Sequence, residues 1–242
     1  MDSLPYLQHL EVDAAALAAA VEGDPAAPVP SCPGWTVDDL VTHTGAVHRW
    51  VTEIVETRAT ERPPREEPGP LPAGGLRAWF EEGAARLLAA LHDADAAEPI
   101  WNWTGIGETV AFWHRRMAQE TAVHRWDGEH ARGKARAIDA ALAVDGIEEV
   151  FGIFLPRALA RGQVPAPGGS LRLTCSDAEG DWLVRVEAGR ARLGPPDGAA
   201  DVTVRGSASD LLLFSWGRPP PGELEVSGDR AVLAQWQERL RF

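Results

Sequence analysis

Gln119-Glu-Thr-Ala-Val-His-Arg-Trp-Asp127 sets three potential metal-binding or acid/base groups on one helical stripe. Residues three or four apart on a helix share a face, so Glu120, His124 and Asp127 fall in line. Upstream the same stripe is apolar, running through Trp113 and Met117. A helix that buries Trp and Met carries a carboxylate and an imidazole inward with them, which costs free energy unless something binds them. A divalent metal is the simplest partner. Inward-facing groups on neighbouring helices are how helical bundles build metal sites, so the stretch points to a bundle.

Two ligands at i, i+4 need a third from elsewhere to hold zinc or a similar ion. A second helix supplies one. Thr36 followed by Asp39 is a variant of the capping-box pattern, and the helix it opens runs to about Arg58 with Leu40, His43, Val47, Trp50 and Ile54 on its buried face. His43, Glu120 and His124 then form a set of two histidines and one carboxylate, which leaves a coordination position open as catalytic sites do. Asp127, one turn beyond His124, is an orienting partner or an extra ligand. A buried histidine hydrogen-bonded to a glutamate one turn away is also a common structural arrangement, and Asp127 can equally be an exposed charge. His48 is turned away from the His43 face, His114 precedes Arg115-Arg116 on what reads as the solvated side, and His130 lies near a helix end. Cys32 lies just before a helix N-terminus, between Ser31 and Pro33 with no base nearby in sequence, and reads as no nucleophile.

Outward from these motifs, helical spacing also covers Leu4 to Val21, Leu76 to His92 and Ile138 to Leu159, and Arg62–Gly75, with five prolines, reads as an exposed loop. Arg161 to Gly169 has the composition of a domain boundary. Beyond it, 171–175 and 182–186 alternate as strands do, 191–193, 202–205 and 224–226 read as shorter strands, and helices begin near Ser207 and Asp229. The expected fold class is α+β: a helical bundle over residues 1–160, then a small α+β domain over 168–242.

The net charge of −13 argues against nucleic-acid or anionic-membrane partners, whose phosphates repel it. No basic-then-apolar leader and no membrane-length apolar run is present, so the expected location is the cytoplasm. The two cysteines suggest no disulfide framework. Lys134 is the only lysine, and the abundance of Ala, Gly, Pro and Arg has the look of a GC-rich genome.

Val29-Pro-Ser-Cys-Pro-Gly-Trp-Thr-Val-Asp-Asp-Leu-Val-Thr-His43 and Gln119 to Asp127 resemble the two signature segments of the mycothiol-dependent maleylpyruvate isomerase family, an actinobacterial branch of the DinB-like metalloproteins. Ala200 to Arg218 is similar to that family's second, sterol-carrier-like domain. The resemblance implies an up-down four-helix bundle with zinc on His43, Glu120 and His124, an acidic motif position at Asp127, and an arginine of the second domain that best matches Arg218. Gln119 stands where many members carry a histidine, which leaves the ligand set intact. It implies mycothiol as thiol co-substrate and a small electrophile such as maleylpyruvate, the product being either a cis–trans isomer or a thiol adduct. The oligomeric expectation is a monomer or homodimer. The competing expectation is a non-catalytic small-molecule-binding or regulatory protein whose metal is structural or absent.

Overall fold

The computed structural model describes residues 5–65 and 75–240. The expected helix start at Leu4 and the segment 66–74 of the proline-rich loop lie outside the described residues. The chain divides into two compact units, residues 1–136 and 137–242.

The first unit is built from α1 (Tyr6–Ala20), α2 (Val37–Glu56), α3 (Gly75–Asp93) and α4 (Val110–Ala131). α2 begins at its capping box: the Asp39 amide donates to Thr36 Oγ1 at 3.2 Å, and the Thr36 amide donates to the Asp39 carboxylate at 2.9 Å. Two amides that a first turn leaves without helical partners are thereby satisfied. Leu17, Leu40, Phe80, Trp113, Met117 and Trp126 fill the interior. α1 packs against α4 and α3, and α2 against α3 and α4, while the consecutive pairs α1/α2 and α3/α4 touch little. The connections 21–36 and 94–109 therefore run across the bundle. Each is pinned at the helix it feeds, by a bridge between Pro28 and Thr36 and another between Pro99 and Thr109. α2 and α4, the two helices with chemistry on their faces, are thus adjacent and fixed at their starts.

The second unit opens with α5 (Ala140–Glu149), a π-helical turn (Val150–Phe154) and α6 (Leu155–Ala160). One continuous helix from Ile138 to Leu159 is not what forms. Asp139 caps the Ala141 and Leu142 amides, which sets the start two residues later, at Ala140, and Pro156 follows the wide turn. Proline has no N–H for the carbonyl four residues back and its ring crowds that carbonyl, a conflict that a π turn relieves. This helical stretch also groups with the sheet and not with the bundle, so the first unit ends at 136 where the sequence suggested 160. The sheet has the order β3-β2-β1-β4-β5, from β1 (Leu171–Cys175), β2 (Asp181–Glu187), β3 (Arg190–Gly194), β4 (Val202–Gly206) and β5 (Glu225–Gly228). Only β1 and β4 run parallel; the other pairs are antiparallel. Leu171, Leu173, Val202 and Val204 alternate inward from the two central strands, as the two-residue strand period requires. α7 (Ala208–Ser215) is buried throughout, and α8 (Arg230–Arg239) contributes the buried Trp236. Among the described residues no helix is long and apolar enough to cross a membrane.

Candidate metal centre

α2 and α4 bring His43, Glu120 and His124 together. Glu120 Oε1 lies 3.5 Å from His43 Nε2 and 3.4 Å from His124 Nε2, and one ligand atom from each residue falls within 4.8 Å of the others. The rings of His43 and His124 stand nearly perpendicular with centroids 5.4 Å apart. Side-chain exposure falls from 32% at His43 through 20% at Glu120 to 12% at His124, so the cluster opens to solvent on the α2 side. His43 is accordingly less buried than its place between Leu40 and Val47 suggested.

Two of the three donors, His124 and Glu120, are held from behind. Asp127 is fully buried, and its Oδ2 accepts from His124 Nδ1 at 3.0 Å, which turns Nε2 towards Glu120 and His43. Arg116, one turn before Glu120 and itself buried, donates to Glu120 Oε2 at 3.0 Å and leaves Oε1 to face the histidines. The sequence reading had placed the Arg115-Arg116 side in solvent; the i, i+4 spacing to Glu120 was the signal that Arg116 turns inward with it. Burial raises the Glu120 pKa, but hydrogen bonds from His124 and His43 and the charges of His124 and Arg116 outweigh it and hold the carboxyl well below its usual range. Burial likewise lowers His124, yet its bonds to Asp127 and Glu120 carry it up to about 9. A pair so coupled favours a positive charge between its members.

The loop before α2 forms one wall. The Val29 amide donates to the Trp35 carbonyl at 2.8 Å, closing the loop 29–35, and Gly34 takes φ +87 within it. This holds the Trp35 ring 4.8 Å from His43 and 6.3 Å from His124. It also places Cys32 Sγ 3.5 Å from Asp127 Oδ2, so Cys32 does have a carboxylate beside it, one 95 residues away in the chain. His48 is fully buried, bonded through Nε2 to Thr121 Oγ1 at 2.9 Å. His114 is not solvated: its Nε2 meets the Leu91 carbonyl at 3.0 Å and the ring is half-buried. His130 stacks on Trp126 with centroids 4.6 Å apart. Arg218 lies in the second unit just past α7, partly exposed, and donates to the Trp216 carbonyl at 3.2 Å.

The model of the mycothiol maleylpyruvate isomerase N-terminal domain matches residues 7–128. The chain belongs to that family. The family's C-terminal domain matches residues 141–235, beginning close to where the second compact unit begins. No curated protein matches the chain. Among solved structures, the mycothiol-dependent maleylpyruvate isomerase and a histidine-to-alanine mutant of it are similar in fold, each with TM-score 0.64 at 15% identity over 92% of this chain and 91% of that one. The family's N-terminal domain contains all three clustered donors, and its C-terminal domain contains Arg218.

Proposed function

We propose that this protein is a zinc-dependent enzyme that uses a low-molecular-weight thiol, mycothiol, as nucleophile towards an unsaturated acid such as maleylpyruvate, as cis–trans isomerase or thiol S-transferase. The observation that carries the reading is the open-faced cluster of His43, Glu120 and His124 inside a family named for that reaction. Two imidazole nitrogens and one carboxylate oxygen on rigid helices are a donor set suited to zinc with one position left for a substrate. A zinc ion bound there stabilises a thiol as its thiolate at neutral pH.

This chain's own residues divide the work. Arg116, together with the two histidines, keeps Glu120 ionised, and it aims one oxygen inward. Asp127 holds the proton on His124 Nδ1, which frees Nε2 as a lone-pair donor. Trp35 covers the histidines and limits water. On family resemblance, Arg218 acts on the acid substrate. The sulfur adds to one carbon of the activated double bond, the new single bond rotates, and elimination of the sulfur restores the double bond in the trans form. Where a leaving group departs instead, the thiol adduct is the product. The two free cysteines support a reducing location such as the cytoplasm. The test is cobalt-loaded protein titrated with mycothiol, then offered maleylpyruvate and halogenated acids. A sulfur-to-cobalt band that grows on adding the thiol, in Cys32→Ser as in the parent, with turnover requiring both, is expected. No change on adding thiol returns the protein to the class of small-molecule binders.

A further inference from the structure

His124 presents its second ring nitrogen to a second donor set. Cys32 Sγ, Asp127 and His124 place one ligand atom each within 4.8 Å of the others. Sγ to Oδ2 is 3.5 Å and Nδ1 to Oδ2 is 3.0 Å, close to the roughly 3.3–3.8 Å that separates ligands around a tetrahedral ion with bonds of ~2.0–2.3 Å. A carboxylate only accepts hydrogen bonds, so Oδ2 is the meeting point of an S–H and an N–H. We propose that Cys32, Asp127 and His124 Nδ1 form a second cation site, selective for a thiophilic divalent ion such as zinc or cadmium.

The charge balance favours it. When the ion enters, the Cys32 thiol proton and the His124 Nδ1 proton leave to solvent, and bonds form from the ion to sulfur, nitrogen and Oδ2. One divalent charge replaces two protons, so this buried corner keeps its net charge, and desolvation adds no uncompensated ion. Sulfur with nitrogen and oxygen selects zinc or cadmium over calcium or magnesium, which take oxygen alone. Asp127 is closed off from solvent, and the half-buried Cys32 is the more accessible of the two. The closed loop 29–35 fixes the sulfur in place without help from the ion. Ligation at Nδ1 would replace the hydrogen bond to Asp127 that supports the Nε2 face, so the Cys32 set stands on its own donors.

Metal-free full-length protein titrated with cadmium chloride tests the site through the ultraviolet thiolate-to-cadmium charge-transfer band. Intact protein and Cys175→Ser should develop the band to saturation, and cadmium NMR of the intact protein should show a sulfur-ligated resonance. Cys32→Ser should lose band and resonance with its circular dichroism unchanged. His43→Ala should keep both, because it removes a donor of the Nε2 face alone. The site is overturned by absence of band and resonance in intact protein or by a band that persists in Cys32→Ser. A band lost in His43→Ala also overturns it, since the sulfur then belongs to the first cluster. None of these readouts requires thiol substrate or turnover, so a failure here is separable from a failure of the enzymatic reading.

Discussion

Asp127 has no exposure, and one of its oxygens serves both His124 and Cys32. Replacing it with asparagine leaves the shape but removes the charge that fixes the His124 tautomer, and such partners typically contribute 10–100-fold to metal affinity. Asp127→Asn should therefore weaken zinc binding by about that factor, measured by competition with a chromophoric chelator; unchanged affinity would contradict the role given to Asp127. His48 yields a pH prediction. Burial, the largest influence, lowers its pKa from 6.5 to about 4, so folding stabilises the neutral ring. That contribution is complete above pH 6.5 and is lost as pH falls from 6.5 towards 4, a difference on the order of 3 kcal/mol. Urea unfolding across that window should show His48→Gln with a shallower acid loss than the parent; parallel curves would remove His48 as the cause. At this scale Glu120, His124 and His43 were legible because helical spacing and an apolar face are local signals. Cys32 and Trp35 were not, since their partners come from distant segments and only the closed loop brings them in.

At the scale of elements, two close features of α2 can be tested by stability. A Cβ at Gly45 would lie 2.3 Å from the Trp79 ring, so Gly45→Ala must displace either that ring or α3. Overpacking of this kind costs roughly 1–3 kcal/mol, to be read from denaturant midpoints, and a neutral result would mean Trp79 swings aside freely. Thr36→Ala removes one half of the capping box and should cost about 1 kcal/mol by the same measurement. Most element starts were legible because caps are written locally: Thr36 with Asp39, Ser207 with Asp210, and Asp229 all accept from the first-turn amides. The break between α5 and α6 was hidden, since the apolar periodicity of 138–159 runs on through Pro156 and the backbone widens into a π turn where a kink or an end was the alternative. Nor does spacing along the chain reveal which helices are neighbours. The long connections 21–36 and 94–109 carry the chain across the bundle, and that crossing is what makes α2 and α4 adjacent.

For the molecule as a whole, composition suggested a boundary at 161–169, whereas the compact units divide after Arg136. The Pro/Gly-rich stretch 161–169 is a connection inside the second unit. The reason lies in side chains far apart in sequence. Glu129 accepts from the Arg136 amide at 2.9 Å and from Arg136 Nε at 2.9 Å, while Arg125 donates to the Arg136 carbonyl at 2.7 Å and pairs with Asp13 at 3.0 Å. The bundle thus holds its own chain end, and the backbone beyond Ile138 turns to Ser209 of the other unit. All three Nε2-side donors, their supports Arg116 and Asp127, and the loop with Trp35 lie before this point. Residues 1–136 expressed alone should therefore unfold cooperatively and retain at least one tightly bound zinc per chain. Under the proposed function, removing the second unit should abolish turnover, because the role proposed for Arg218 is lost with it. Elemental analysis after gel filtration, paired with thermal unfolding followed by circular dichroism, reads both properties of the fragment. A fragment that folds yet binds no zinc, at neutral pH and with zinc in excess, would remove the bundle as a self-sufficient metal centre.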